Sequence, residues 1–150
     1  MRTFDGIPAL EAAVGEHLGY SEWHTITQEQ IDTFATCTGD HQWIHIDPVE
    51  AAKGPFGTTI AHGYFTLSLV PMLSWEVYDV QGIGMGVNYG ANKLRFPAPV
   101  PVDSRVRAGV ELLEVTPGGG GYQVVTRVTI ERDGGEKPAC VVDTVSILVP

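Results

Sequence analysis

The 150 residues carry 18 acidic against 9 basic side chains, a formal net charge of −9, with 43% hydrophobic and 18% charged residues. A chain of this size buries roughly 70% of its unfolded surface and folds without disulfide or metal staples, and an acidic balance argues against sequence-independent nucleic-acid binding and against anionic membrane surfaces. No apolar run reaches the ~20 residues of a bilayer span, the start MRTFDGIPALEAAVGEH lacks a basic-then-apolar leader pattern, and Cys37 and Cys140 have no metal-type spacing, so one cytoplasmic domain over residues 1–150 with reduced thiols is expected.

In chain order, Thr27-Gln28-Glu29-Gln30 is a capping-box pattern that opens a helix. Ile31, Phe34 and Ala35 recur at helical spacing and Gly39 closes it. Asp47-Pro48-Val49-Glu50 starts a second, short helix that Gly54-Pro55 stops. A third, apolar on most sides and therefore buried, is expected from His62-Gly63 to about Tyr78, with Pro71 marking a kink or early break. Glycines and prolines then punctuate the chain at 82–90, 97–101 and 117–121. Between them lie strand patterns at Met85 to Phe96, Arg105 to Val115, Tyr122 to Arg132 and Ala139 to Val149. The layout is α+β, an antiparallel meander around one long buried helix.

The densest run of reactive groups is Thr38-Gly39-Asp40-His41-Gln42-Trp43-Ile44-His45-Ile46-Asp47-Pro48, a loop between two capped helices. A carboxylate and an imidazole there can share a water, because histidine exchanges protons near neutral pH and a carboxylate can act as its counterpart. The spacing of Asp40 and His45 is equally compatible with a loop-capping carboxylate and a satisfied, partly buried histidine. Ile60-Ala61-His62-Gly63-Tyr64 opens the third helix, where backbone N–H groups are unpaired and the dipole is positive. A glycine at that point suits an oxyanion hole, or serves merely as a hinge. Asp40, His41, His45 and His62 include groups that suit zinc or iron, but the segment reads as a loop and no metal is expected. Gly82-x-Gly84-x-Gly86 lacks the βαβ setting of a dinucleotide fingerprint, and no Gly-x-Ser-x-Gly elbow is present.

Phe34-x-x-x-Thr38-Gly39-Asp40-x-x-x-x-His45, then Asp47-Pro48, Ala61-His62-Gly63 and the run Asn88 to Val100, together resemble the MaoC-like, R-specific enoyl-CoA hydratases over nearly the whole chain. The resemblance implies a hot-dog fold, a curved antiparallel sheet wrapped around a long helix. It implies Asp40 and His45 as the pair that activates water and Gly63 as the N–H that holds a thioester oxygen. It implies an acyl-CoA or acyl carrier protein thioester substrate and no cofactor. Gln42 and Trp43 stand where the family commonly has asparagine and proline, and Pro71 where some members have a small hydroxyl residue. Gln42, Trp43, His62, Asn88, Lys93 and Arg95 are further candidates for contacts with substrate. A hot-dog thioesterase and a non-catalytic acyl-binding module share the fold and stay open on the residues alone. Lys93, Arg95, Arg105 and Arg107 lie in one stretch with a single acid, Asp103, and could meet an anionic carrier, although Arg105 and Arg107 read better as ordinary outward charges. The sparsely charged Asn88 to Leu94 segment is an open sheet edge, so a homodimer paired along it is expected, against a monomer in which Met1 to Tyr20 covers that edge.

Overall fold

The computed structural model describes residues 1–150. Its elements are β1 (Arg2–Phe4), α1 (Gly6–Glu11), β2 (His17–Tyr20), β3 (His24–Thr25), α2 (Gln28–Thr38), α3 (Trp43–Ile46), α4 (Pro48–Lys53), α5 (Gly63–Ser68), α6 (Val70–Val77), β4 (Tyr78–Val80), β5 (Met85–Arg95), β6 (Arg105–Gly118), β7 (Gly121–Arg132) and β8 (Cys140–Val149). No helix is long and apolar enough to cross a membrane.

The helix starts follow their local signals. The Thr27 hydroxyl accepts from the Gln30 amide while the Gln30 side chain accepts from the Thr27 amide, so both bonds of the capping box form. The Asp47 carboxylate accepts from the amides of Val49 and Glu50, with Pro48 in the first turn. The expected helix from 62 to 78 is two helices. Pro71 has no N–H to give the Leu67 carbonyl, and the ladder is interrupted at Leu69, whose amide donates to Thr66 instead. Nor is this helical arm buried all round. Leu73 and Val77 are buried in the core, while Trp75 is 72% exposed and Tyr64 67%.

The main sheet runs β2-β6-β7-β8-β5, all antiparallel, with β3 also against β6. Alternation along β6, β7 and β8 turns Val106, Ala108, Val110, Leu112, Val124, Val128, Ile130 and Val142 inward. There they pack with Leu10, Ile26, Ile31, Leu73 and Val77 in one core. The strands β6 to β8 form the expected meander, but the 85–96 strand does not open it. It pairs with β8 at the far side of the sheet. The reason lies in the connection from 96 to 104, where Pro97, Pro99 and Pro101 exclude a tight hairpin. That segment instead runs beside the entry to α5, with Ala61 donating to Val100, Val102 donating to Thr59, and Ile60 bridging Pro101. The N-terminal segment covers other ground too: β1 pairs with β4 and β2 closes the β6 edge, so β5 is left as an exposed edge strand. The short elements β1, α1, β2, β3, α3 and β4 have no counterpart in the sequence reading.

On the outer face, Glu111, Arg127 and Asp143 stand in register across β6, β7 and β8. Arg127 donates to both oxygens of Asp143, at 2.8 and 3.0 Å. That contact holds the Asp143 carboxyl below the usual carboxylate range, against the opposing effect of burial. A carboxyl depressed in the folded state stabilises it above the unfolded pKa of about 3.9 and loses that contribution as pH falls through the lower folded value. Asp143→Asn should therefore lower the melting temperature by a few degrees at pH 7. The gap to the parent should close as the pH approaches about 2, measured by thermal denaturation across that range.

Candidate active site

Asp40 is placed by the end of α2. Gly39 takes a left-handed φ of 82° that stops the helix and turns the chain outward, a conformation that favours glycine. The Thr38 hydroxyl donates to Phe34 and accepts at 3.4 Å from the Asp40 amide, and the Asp40 carboxylate accepts at 3.4 Å from the Gln42 amide. The chain then makes the single turn α3, which the sequence reading had as part of a loop, and this turn carries His45 inward to 6% exposure.

The His45 ring is fixed in one tautomer. Its Nδ1 lies 2.7 Å from the Ile60 carbonyl oxygen, which can only accept, so Nδ1 carries the proton and Nε2 keeps a lone pair. Burial lowers the His45 pKa below its ordinary value, the Ile60 bond and Asp40 oppose this, and His62 adds to it. The ring is thus neutral at pH 7, with a free basic nitrogen. The other end of the residue is held as well. The His45 carbonyl accepts from Gln28 Nε2 at 2.8 Å, and Gln28 Oε1 accepts from the buried Thr59 hydroxyl at 2.5 Å. Gln28 and Thr59 are supporting residues that the sequence reading missed. Gln28 had been visible only as part of the capping box, and Thr59 carried no signal beyond standing next to Ile60-Ala61-His62-Gly63.

One functional atom each from Asp40, His45 and His62 lies within 4.8 Å of the others. This span admits a single water making two hydrogen bonds of about 2.8 Å. The same three residues are the ones that could hold a metal. However, the His45 and His62 rings are stacked, 3.8 Å apart and 25° from parallel, so their in-plane lone pairs do not converge on one ion. His41, four residues before His45, is exposed and outside the cluster.

Gly63 begins α5, and its N–H donates to no protein group. A Cβ at Gly63 would lie 2.8 Å from the Phe96 ring, so the glycine is needed for close packing there. His45, Gly63, Thr66, Phe56, Phe96 and Pro99 are among the residues that line a cavity of about 300 Å³. A second cavity of about 290 Å³ lies between α6, β4 and the β5–β8 face, and Asn88 lines it.

Of the further candidates, the structure brings His62 to the Asp40–His45 pair, buried to 2% exposure. The Gln42 amide touches Asp40, but the residue is exposed. Trp43 is not among the residues that line the cavity, and its ring packs against Gly54, where an added Cβ would lie 2.8 Å from it. Asn88 faces the second cavity within this chain. Lys93 and Arg95 are exposed on β5, and Arg95 directly precedes Phe96 of the His45 cavity. Arg105 and Arg107 are outward charges, paired with Asp133 and Glu131, and Arg107 also lies over the rings of Tyr20 and Trp23.

The model of the MaoC like domain matches residues 9–133. The chain belongs to the MaoC-like dehydratase family. Membership makes this MaoC-like protein a hydro-lyase, and the fold is the family's hot-dog. Among curated proteins it is 55% identical over 146 residues to 3-hydroxyacyl-thioester dehydratase Z of Mycobacterium tuberculosis, covering 97% of each chain. It is 41% identical over 142 residues to Nodulation protein N of Rhizobium leguminosarum, covering 93% of this chain and 88% of the other. Among solved structures, the monoamine oxidase regulatory protein from Archaeoglobus fulgius superposes with a TM-score of 0.77 at 25% identity, over 99% of this chain and 97% of that one. The (R)-hydratase from A. caviae involved in PHA biosynthesis shares the fold, with a TM-score of 0.73 at 24% identity over 90% and 97% of the two chains.

For this MaoC-like site the acid limb of activity should follow His45. The basic form persists down to the lowered pKa, so the rate should hold through pH 6.5, the ordinary histidine value, and fall only once the pH drops through the lowered one. A pH–rate profile checks this, with the His45 ring followed by NMR over the same range.

Proposed function

We propose that this MaoC-like domain, residues 1–150, catalyses the reversible hydration of a trans-2-enoyl thioester to the (R)-3-hydroxyacyl thioester. The observation that carries the reading is a carboxylate and a neutral imidazole within 4.8 Å of each other, the imidazole lining a cavity that also presents the Gly63 helix start. The relative named 3-hydroxyacyl-thioester dehydratase Z supports the same substrate class.

A water held between Asp40 and His45 gives a proton to His45 Nε2 as its oxygen adds to C3. The negative charge that develops on the thioester oxygen is met by the Gly63 N–H, a donor already oriented and not otherwise engaged. C2 then takes a proton from the Asp40–His45 pair, and dehydration is the same path reversed. The acyl chain runs along the apolar helical arm. Asp40→Asn and His45→Gln should each lower turnover by at least ~100-fold with the fold intact, as for lost acid/base groups. The assay pairs an enoyl-CoA with a saturated acyl-CoA. Loss of the enoyl absorbance is the expected result. Release of free thiol from the saturated substrate would mean a thioesterase, and no turnover of either would mean a binding module.

The working form is a homodimer. The edge strand β5 is exposed along almost its whole length, with Val87 and Tyr89 on it and Trp75 exposed on α6. Pairing β5 with its copy satisfies the free edge and brings Asn88, Lys93 and Arg95 of one protomer toward the other's Asp40 loop. Lys93 and Arg95 are the remaining cations of the basic stretch and are the contacts expected for the phosphates of a CoA carrier, which would make substrate binding weaken with ionic strength. Light scattering at low micromolar concentration should give about twice the 16.2 kDa chain mass. A fully active species at the chain mass rules out the shared site.

A further inference from the structure

The hydration reading gives roles to Asp40, His45 and Gly63 and leaves His62 without one. His62 is 2% exposed and immediately precedes Gly63. Its Nε2 lies 3.0 Å from the main-chain oxygen of Asp40, an acceptor, so the neutral ring carries its proton on Nε2. Nδ1 is then a bare lone pair, buried and with no donor. An apolar ring would fill the same space without leaving a polar atom unpaired, so packing alone does not account for a histidine here. The ring stacks on His45 at 3.8 Å and meets Phe34 of α2 at 4.9 Å. The main chain of His62 belongs to the helix start, its carbonyl accepting from the Thr66 amide. The bonds that otherwise orient Asp40 are long, at 3.4 Å.

We infer that His62 is a positioning residue. Its Nε2–H pins the Asp40 main chain, and its ring face sets the plane of His45, so that the acid/base pair and the Gly63 N–H are held as one unit. This inference rests on the hydration reading for what the unit does. The titratable groups facing His45 are Asp40, from the end of α2, and His62, from the start of α5. The groups that bond it from other elements, Gln28 and Ile60, are uncharged, as are Phe56, Thr66 and Phe96, which share its cavity. Protonation of either stacked ring opposes protonation of the other, so removing His62 should raise the pH at which His45 titrates.

The test is His62→Phe, which keeps a ring and loses both nitrogens, beside His62→Gln, which keeps an N–H donor and loses the ring. In His62→Phe, kcat should fall about 10- to 100-fold with KM within about threefold of the parent. The acid limb of the rate profile and the His45 NMR titration should both move to higher pH. His62→Gln should show the same titration shift and a kcat between that of His62→Phe and the parent. If His62→Phe does not fold, His62→Gln alone decides: parental kcat with an unmoved His45 titration overturns the inference, as it does in either folded variant. The NMR arm does not depend on turnover. If Asp40→Asn and His45→Gln remain active, it is the hydration reading that falls, and the two failures are told apart.

Discussion

The bond from His45 Nδ1 to the Ile60 carbonyl is the contact on which the site depends, because it decides which ring nitrogen is free. A histidine in open solvent samples both tautomers and titrates near neutrality. Here a 2.7 Å bond to an obligate acceptor removes the tautomeric choice, and burial removes the charge. The acceptor is itself held. The Ile60 amide donates to Ile44, one residue before His45, and the Ile60 backbone bridges Pro101. The imidazole, the turn that carries it and the strand-like segment leading into α5 therefore lock one another. Gln28 closes the circuit from α2, linking the His45 carbonyl to the Thr59 hydroxyl.

The elements whose formation is decided within a few residues were legible in the sequence. The Thr27 box, the Asp47 cap, the Gly39 stop and the alternation of β6 and β7 all stand as read. The resemblance named the family, and Asp40 and His45 are brought together as expected. The parts that were not legible depend on distant partners. Nothing near Met85 to Arg95 says that its neighbour is β8 rather than β6, since that is set by the path of the proline-rich segment against residues 59 to 61. Pro71 announced a break, but the break falls two residues earlier, at Leu69, because the lost bond is the one to a preceding carbonyl. Trp43 stood in the motif and was expected to shape the pocket, yet it turns to the end of α4, where Gly54 leaves room for its ring.

The two faces of the sheet are held by different physics. The inner face is aliphatic and packs on the helical arm, while the outer face carries in-register charges that neutralise one another, Arg127 with Asp143 and Arg107 with Glu131. This helps an acidic chain keep its self-repulsion off the sheet. It also uses up two of the arginines that composition alone offers to an anionic ligand. The strand that escapes this pattern is β5, which is exposed from Met85 onward and has positive-φ Lys93 at an irregularity in its pairing with β8.

The packing of Phe96 on Gly63 ties together two positions that lie on different elements and 33 places apart in the chain. A side chain at 63 has no room while the ring is in place, and trimming the ring alone would open a gap beside the helix start. The two positions should therefore vary as a couple across the family: where a relative bears a larger residue at the helix start, its counterpart of Phe96 should be smaller or displaced. Anyone wishing to remodel the mouth of this cavity would have to alter Phe96 before, or together with, Gly63, because the order in which the two changes are introduced decides whether the intermediate is tolerated.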